Sequence, residues 1–555
     1  MSQLQERTET NSTGGGEYDV LVVGAGFAGL YALYKLRGLG YSVRVLERGD
    51  GVGGTWFWNC YPGARVDVES LEYSYSFSEE LEQDWEWTER YPRQPEILKY
   101  INHVADRFEL WPDIQLETTV ETAHFDEERG RWTVTTDLGE VYDAQHVIMA
   151  TGCLSQRKNP GDEFAGLDTF KGDWYLTSAW PKEDVDLSGK RVVVVGTGST
   201  AIQVIPKVAQ QADHVTVLQR TANFSVPAQN GPMDPEFQSA LKARYRAHRK
   251  AAKESAFGVP VEMPERSALD FSAEEARAEL EARWQASGAA PFMLAFTDVL
   301  VDERANEVVA EFVRDKIRAT VKDPATADLL CPRDHPLGTK RLCVDTEYYE
   351  TYNRDNVELV SVRENPIARI TPTGIRLQDG TEFEADVIVF AIGFDAMTGA
   401  LFDIDLRGRG NVALKEAWKD GPRTYLGLTT VGFPNLYMIT GPGSPSVLSN
   451  MVVSIEQHVD WIADLIEHMR ERGLGVVEAT QEAQDKWVAH VHEVGHATLF
   501  PRANSWYMGA NVPGKPRVFT PYIGGVGVYR QECDEVAAKG YEGFDLSGER
   551  SLATA

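Results

Sequence analysis

Short apolar runs, glycine turns and amphipathic stretches follow one another along this chain in a repeated order. From Tyr18, YDVLVVGAGFAGLYALYKLRGLGYSVRVLERG gives an apolar strand, a glycine turn, a helical pattern and a second strand ending near Glu47. Period-2 and period-3.6 patterns in that order predict a βαβ unit. From Lys190, KRVVVVGTGSTAIQVIPKVAQQADHVTVLQRT repeats the same order, so two nucleotide folds are expected in one chain. Residues 131–136 (RWTVTT) alternate as a strand, and 146–150 (HVIMA) read as a buried strand before Thr151 and Gly152. A similar pairing recurs at 375–377 and 386–390 (DVIVF), and these runs are read as strands that return each nucleotide domain to its sheet.

Between about 234 and 327 the pattern becomes helical and rich in Ala, Glu, Arg and Lys, as in EFQSALKARYRAHRKAAKE, with no glycine turn. This predicts a helical insertion that shapes or covers a site. Glycine- and proline-rich turns follow Gly393, then a long helical pattern over 449–472. The stretch NSWYMGANVPGKPRVFTPYIGG has loop composition and is expected to be a mobile lid rather than core.

The turns carry the first chemistry. Gly24, Gly26 and Gly29 form GxGxxG: the first permits the turn, the second admits a pyrophosphate to the backbone, and the third lets helix pack on strand. Glu47, at the end of the next strand, is placed to bond ribose hydroxyls. Gly196, Gly198 and Ala201 give GxGxxA, but the strand after it ends in Gln219, Arg220 and Thr221 with no carboxylate. A carboxylate there would repel a 2′-phosphate, whereas Arg220 and Thr221 can bind one, so the second dinucleotide is expected to be NADPH. A solvated strand-end charge is the plainer alternative for Arg220.

Composition narrows the partners. The 555 residues exceed one compact core, and 43% hydrophobic with 25% charged residues is an ordinary globular balance. A formal charge of −29 repels phosphate backbones and anionic lipid headgroups, so neither nucleic acid nor membrane is expected as a partner. Five cysteines (Cys60, Cys153, Cys331, Cys343, Cys533) without a CxxC pair argue against a disulfide framework, a zinc site and a dithiol centre. Neither metal-ligand spacing nor an apolar run of bilayer length occurs, and residues 1–17 are read as a disordered leader. A monomeric cytoplasmic protein is expected. Two dinucleotide folds without CxxC leave a flavin that meets O₂ or one that passes its electrons elsewhere.

The residues 53–67, GGTWFWNCYPGARVD, resemble the long fingerprint of type I Baeyer–Villiger monooxygenases, and FKGDWYLTSAWP (170–181) resembles their short signature. HPLGTKR, GFDAMTGAL, GPRTYLGL, GPGSPSVLSNM, SWYMGANVPGKPRVF and DEVAAKGYEGF extend the likeness over about 18–544, nearest the phenylacetone and steroid monooxygenase branch. The resemblance implies an α/β fold of two Rossmann-like dinucleotide-binding domains, for FAD and NADP, with a helical insertion. Its expected segments are 18–155 and 386–545 for FAD, 156–228 and 330–385 for NADP, and 229–329 for the insertion. It implies oxygen insertion beside the carbonyl of an apolar ketone, aryl, cyclic or steroid-like, using NADPH, O₂ and a C4a-peroxyflavin.

By the same resemblance Thr55, Trp56, Asp67 and Tyr73 join Gly24, Gly26, Gly29 and Glu47 at FAD. Gly196, Gly198, Ser199, Thr200, Arg220, Thr221, Lys340, Arg341 and Trp506 serve NADPH. Arg341 would be the cation beside the flavin, set by Asp67; the two residues suit a structural ion pair between domains equally well. Cys153, Leu154, Ser446, Val447, Leu448 and Met451 would line the ketone pocket, although Leu154 and Leu448 also suit ordinary core. Leu176 stands where the short signature has His, Cys60 where the long one has Arg, and Ile392 where the last strand has Thr. Leu176 motivates a second reading, an uncoupled NADPH oxidase or an oxygenase of sulfides or amines. A third is a flavin-holding protein without turnover.

Overall fold

The computed structural model describes residues 15–286 and 288–549. Two sheets organise the chain. In the first, Gly16–Val23 lies between Val43–Leu46 and Val141–Met149, all parallel, and Ile114–Gln115 extends the Val43–Leu46 edge. Arg131–Thr136 and Val120–Asp126 continue from Val141–Met149 as antiparallel strands, and Leu436–Met438 pairs parallel with the same strand. The parallel members are apolar on both faces because both are covered: helices Phe27–Gly38 and Met451–Glu471 pack together on one, and Leu401, Leu414 and Trp418 pack with Trp132 and Val134 on the other.

The second sheet is parallel throughout, in the order Val357–Ser361, His214–Gln219, Arg191–Val195, Val387–Phe390, Asp173–Leu176. The helix Ser199–Gln211 crosses between Arg191–Val195 and His214–Gln219. Both units are thus strand, glycine turn, helix, strand, the Rossmann-like arrangement of an α/β chain.

Two expected boundaries move. Residues 386–390 were assigned with the FAD segment, but Val387–Phe390 pairs with Arg191–Val195 in the second sheet. A run of VIVF buried on both faces suits an inner strand of either sheet, so its pattern does not choose between them. The leader expected over 1–17 lies outside the described residues up to position 14, while Gly16 and Glu17 open the first strand opposite Tyr142 and Asp143.

The intervening segment is helical, including Tyr245–Glu254, Ala273–Ala286 and Glu303–Thr320. It is fastened to the first unit by a buried arginine. Arg249 Nε donates to Glu82 Oε1 at 2.8 Å, Nη1 to the Glu72 carbonyl at 3.1 Å and Nη2 to Ser74 Oγ at 2.7 Å. With its donors met by a carboxylate and two neutral oxygens, the charge survives burial.

Part of the aromatic C-terminal stretch expected to be a mobile lid is packed into the core, while most of 511–518 stays half-buried or exposed. Tyr507, Met508 and Phe519 are buried together with Cys153, Met397 and Val447. Lys515 Nζ donates to Asp395 Oδ1 (2.5 Å) and the Ala396 carbonyl (2.6 Å), and Asn511 Nδ2 to the Phe394 carbonyl (2.6 Å). Glycine and proline gave it the composition of a loop, and its aromatic rings supply the burial that holds it down. Among the described residues no helix is long and apolar enough to cross a membrane.

Candidate active site at the seam of the two units

The first glycine turn is closed against the strands around it. Gly24 sits at φ +105°, and a Cβ there would lie 2.6 Å from the Ala150 carbonyl oxygen; at Gly29 it would lie 1.8 Å from the Gly24 oxygen. Only glycine allows that approach. A Cβ on Gly26 would stand 3.3 Å from the Gly54 Cα, so the turn and the long fingerprint meet backbone to backbone. The Glu47 carboxylate accepts from the N–H groups of Ala25 (2.8 Å) and Gly49 (2.9 Å), which holds the acid beside the turn. In the second turn Gly196 is at φ +113°, and a Cβ on Gly198 would meet nothing within 4 Å. That opening lies at the start of helix Ser199–Gln211, where unpaired N–H groups and the helix dipole favour a pyrophosphate. Both turns fit a dinucleotide.

Arg341 leads into strand Cys343–Asp345, paired with Ser225–Pro227. Its Nε donates to Asp67 Oδ2 at 3.0 Å and its Nη2 to Oδ1 and Oδ2 at 2.8 and 2.7 Å. On the other side Nη1 donates to the Val447 carbonyl at 2.9 Å. The guanidinium plane is therefore held at three points. Its side chain remains 32% exposed, so the cation is not sealed in an interdomain contact. Asp67 raises the Arg341 pKa well above its ordinary value against the opposing effect of burial, and the charge persists at every working pH.

The expected pocket residues converge around this cation. Cys153 and Val447 are buried with Met397, Phe500, Tyr507 and Met508, and Leu154, Leu448, Met451 and Trp506 pack against them. Burial pushes the Cys153 thiol up to about 11, so it stays protonated and uncharged. Ser446, fully buried, joins them: its side chain hydrogen-bonds the Cys153 thiol, and its hydroxyl reaches the Thr440 carbonyl at 3.1 Å. Trp56 Nε1 donates to Tyr73 Oη at 3.2 Å, and both rings stand beside the Asp67 loop, while Thr55 opens the short helix Thr55–Trp58. The Trp506 and Tyr507 rings are tilted 43° to each other with centroids 4.1 Å apart. Burial pushes the Tyr507 hydroxyl up to about 12, opposed by the Arg341 charge beside it.

Arg220 is exposed at its strand end, next to Thr221, whose carbonyl accepts from Thr197 Oγ1 at 2.8 Å. Burial lowers the Lys340 pKa, as do the neighbouring Arg220 and Arg363, while Asp334 opposes them. Lys340 thus stands between the Arg220 cation and Asp334, the acid that is ion-paired with Arg363.

A family model described as pyridine nucleotide-disulphide oxidoreductase matches residues 21–267, a span holding both glycine turns. A Baeyer–Villiger monooxygenase of Pseudooceanicola batsensis is 45% identical over 96% of this chain and 97% of its own. The chain belongs to the Baeyer–Villiger monooxygenase family. The methyl acetate-forming acetone monooxygenase of a Gordonia strain is 44% identical to this Baeyer–Villiger monooxygenase, covering 95% of this chain and 99% of its own. The structure of an oxidized steroid monooxygenase bound to NADP superposes with a TM-score of 0.91 at 51% identity, covering 96% and 100% of the two chains.

Against that family background the departures in this monooxygenase have local explanations. Leu176 closes strand Asp173–Leu176 and is buried with Val195, Leu218 and Phe390, and Ile392 packs on the same cluster. The Cys60 thiol donates to the Trp180 carbonyl at 3.3 Å, joining the long and short signatures. Beside it Tyr61 Oη donates to Gln203 Oε1 (2.7 Å), and Gln203 Nε2 donates to the Arg65 carbonyl (3.0 Å). Gln203, Tyr507, Met397 and Arg363 were not anticipated from sequence. Tyr507 was within reach as the neighbour of Trp506, whereas Gln203 lies on a helix face with no motif.

Proposed function

We propose that this monooxygenase takes FAD and NADPH and inserts one atom of O₂ beside the carbonyl of an apolar ketone, yielding an ester or lactone. Reduced FAD, when bound, supplies the activated oxygen. The protein's part begins with Arg341. A permanent, partly exposed cation stabilises the anionic charge that develops as oxygen adds to the carbonyl, and it requires no reorganisation because Asp67 and the Val447 carbonyl already fix its plane. Arginine also cannot surrender its proton to a basic oxygen anion. The apolar wall of Cys153, Leu154, Val447 and Met451 excludes water and suits a ketone without charge.

Glu47 would turn to the FAD ribose, with Thr55, Trp56 and Tyr73 along the flavin. Ser199 and Thr200, the first residues of the second turn's helix, would take the NADPH pyrophosphate. Arg220, Thr221 and Lys340 would take the 2′-phosphate, and Trp506 would close on the nicotinamide end. The oxidase reading loses its motive because Leu176 and Cys60 are absorbed into packing and leave the Arg341–Asp67 pair intact.

The three-point hold of Arg341 carries this reading. Its test is stoichiometric: the FAD-loaded protein should oxidise NADPH faster when cyclohexanone or phenylacetone is added and form one ester per NADPH. Hydrogen peroxide matching all NADPH consumed, whatever the ketone, would sink it.

A further inference from the structure

The carbonyl that Arg341 grips has a support of its own. Val447 lies in the turn 440–449, between strand Leu436–Met438 and helix Met451–Glu471. Two non-glycine residues of this turn hold positive φ, Thr440 at 55° and Ser446 at 36°. Such conformations persist only where surrounding contacts impose them.

The contacts form a continuous line. His458, in helix Met451–Glu471 and 0% exposed, accepts the Thr440 N–H at its Nδ1 at 2.9 Å. The Thr440 carbonyl accepts the Ser446 hydroxyl at 3.1 Å. The next residue, Val447, gives its carbonyl to Arg341 Nη1 at 2.9 Å, and Arg341 is forked on Asp67. Other bonds pin the middle of the turn: Gly443 N–H to the Thr520 carbonyl (2.7 Å) and Tyr522 N–H to the Ser444 carbonyl (2.8 Å). The His458 line runs through both strained residues, and Ser449 adds to it at Ser446, donating its N–H (3.0 Å) and its hydroxyl (2.8 Å) to the Ser446 carbonyl.

We propose that His458 is a positioning residue for Arg341: acting through Thr440 and Ser446, it fixes the Val447 carbonyl that sets the plane of the guanidinium. The inference rests on the reading of Arg341 as the group that acts on the ketone.

The choice of residue supports it. Accepting at Nδ1 requires a neutral imidazole with its proton on Nε2. Burial, with Arg530 adding to it, pushes the His458 pKa down to about 3, so the acceptor form is kept throughout the working range. The Nε2 atom has no hydrogen-bond partner among the described residues, and the imidazole stands edge to face with the Tyr529 ring, centroids 5.5 Å apart. A residue needed only for packing would be apolar there. The histidine tolerates one unpartnered ring nitrogen and supplies Nδ1 to the backbone.

The test separates the two ring nitrogens. In His458→Asn the amide oxygen replaces Nδ1, and in His458→Gln it falls nearer Nε2. Ser446→Ala cuts the line one step further on and leaves the helix intact. Each FAD-loaded variant is assayed with cyclohexanone for ketone KM, NADPH KM, peroxide released per NADPH, bound FAD and Tm. His458→Gln and Ser446→Ala should raise the ketone KM roughly tenfold, the effect of losing one buried hydrogen bond, and divert most NADPH to peroxide. Bound FAD and NADPH KM should stay at wild-type values, and His458→Asn should remain close to wild type. The proposal is overturned if His458→Gln couples like wild type, or if Asn and Gln fail alike with loss of FAD and Tm. Arg341→Ala is run alongside: ester formation by that variant would remove the underlying reading instead, whatever His458 does.

Discussion

A guanidinium is the one side chain able to keep its charge, fork onto a carboxylate and still reach a carbonyl on its far side. Arg341 does all three, with Asp67 on one edge and Val447 on the other. Lysine would retain the charge but offers a single ammonium in place of a planar fork. Arg341→Ala should therefore keep its FAD and lose ester formation, while Arg341→Lys should keep FAD and lose roughly a hundredfold or more in kcat, the usual cost of a misplaced oxyanion donor. Single-turnover product analysis beside the flavin absorbance of each variant checks this. Wild-type ester yield from Arg341→Ala would remove the cation from the chemistry. The residue types at 67 and 341 were readable in the chain; the third bond was not, because a backbone carbonyl has no signature in sequence.

At the scale of elements, the strand that carries Arg341 to its place contains a buried acid. In Cys343–Asp345, Ser225 Oγ lies 2.5 Å from Asp345 Oδ2 and bonds the Cys343 carbonyl at 3.3 Å, and the Tyr348 N–H reaches Asp345 Oδ1 at 3.3 Å. Burial, with Glu350 adding to it, pushes Asp345 from 3.8 up to about 7. A protonated carboxyl completes the network by donating to Ser225, so stability from the neutral form is full below about pH 4. It declines as pH rises through 7, since the unfolded chain releases this proton first. Asp345→Asn, which donates at any pH, should match wild type near pH 4 and exceed it at pH 8 by up to about 4 kcal/mol. Denaturant titrations at both pH values decide the matter, and an equal gap at each would rule out the titration. The glycine turns, the strands beside them and the long helix were legible because each is a local pattern. The sheet that owns Val387–Phe390 was not, nor was the burial of Tyr507, Met508 and Phe519, because both depend on partners far along the chain.

For the whole molecule, the chemistry depends on a seam. Asp67 comes from the segment that follows the first turn and Arg341 from the second unit, so the pair exists only while the two units stay in register. Helix Ser199–Gln211 supplies the register through Gln203, which accepts from Tyr61 and donates to the Arg65 carbonyl, two positions from Asp67. A Cβ at Gly63 would lie 2.3 Å from the Gln203 carbonyl, so the loop is pressed onto the helix with no space for a side chain. The same helix begins at the second glycine turn, where a pyrophosphate would sit. Gln203 thus ties the nucleotide end of one unit to the acid that orients the cation of the other. Gln203→Leu keeps the volume and removes these two bonds together with the longer one that Gln203 Oε1 accepts from the Arg65 N–H at 3.4 Å, each worth about 1 kcal/mol or less. It should speed amide exchange over residues 61–67 roughly tenfold and raise peroxide released per NADPH, with FAD content unchanged because the first turn is untouched. Unaltered exchange in that loop would mean that packing around Gly63 holds the seam by itself. If exchange quickens without extra peroxide, the orientation of Asp67 does not depend on the helix.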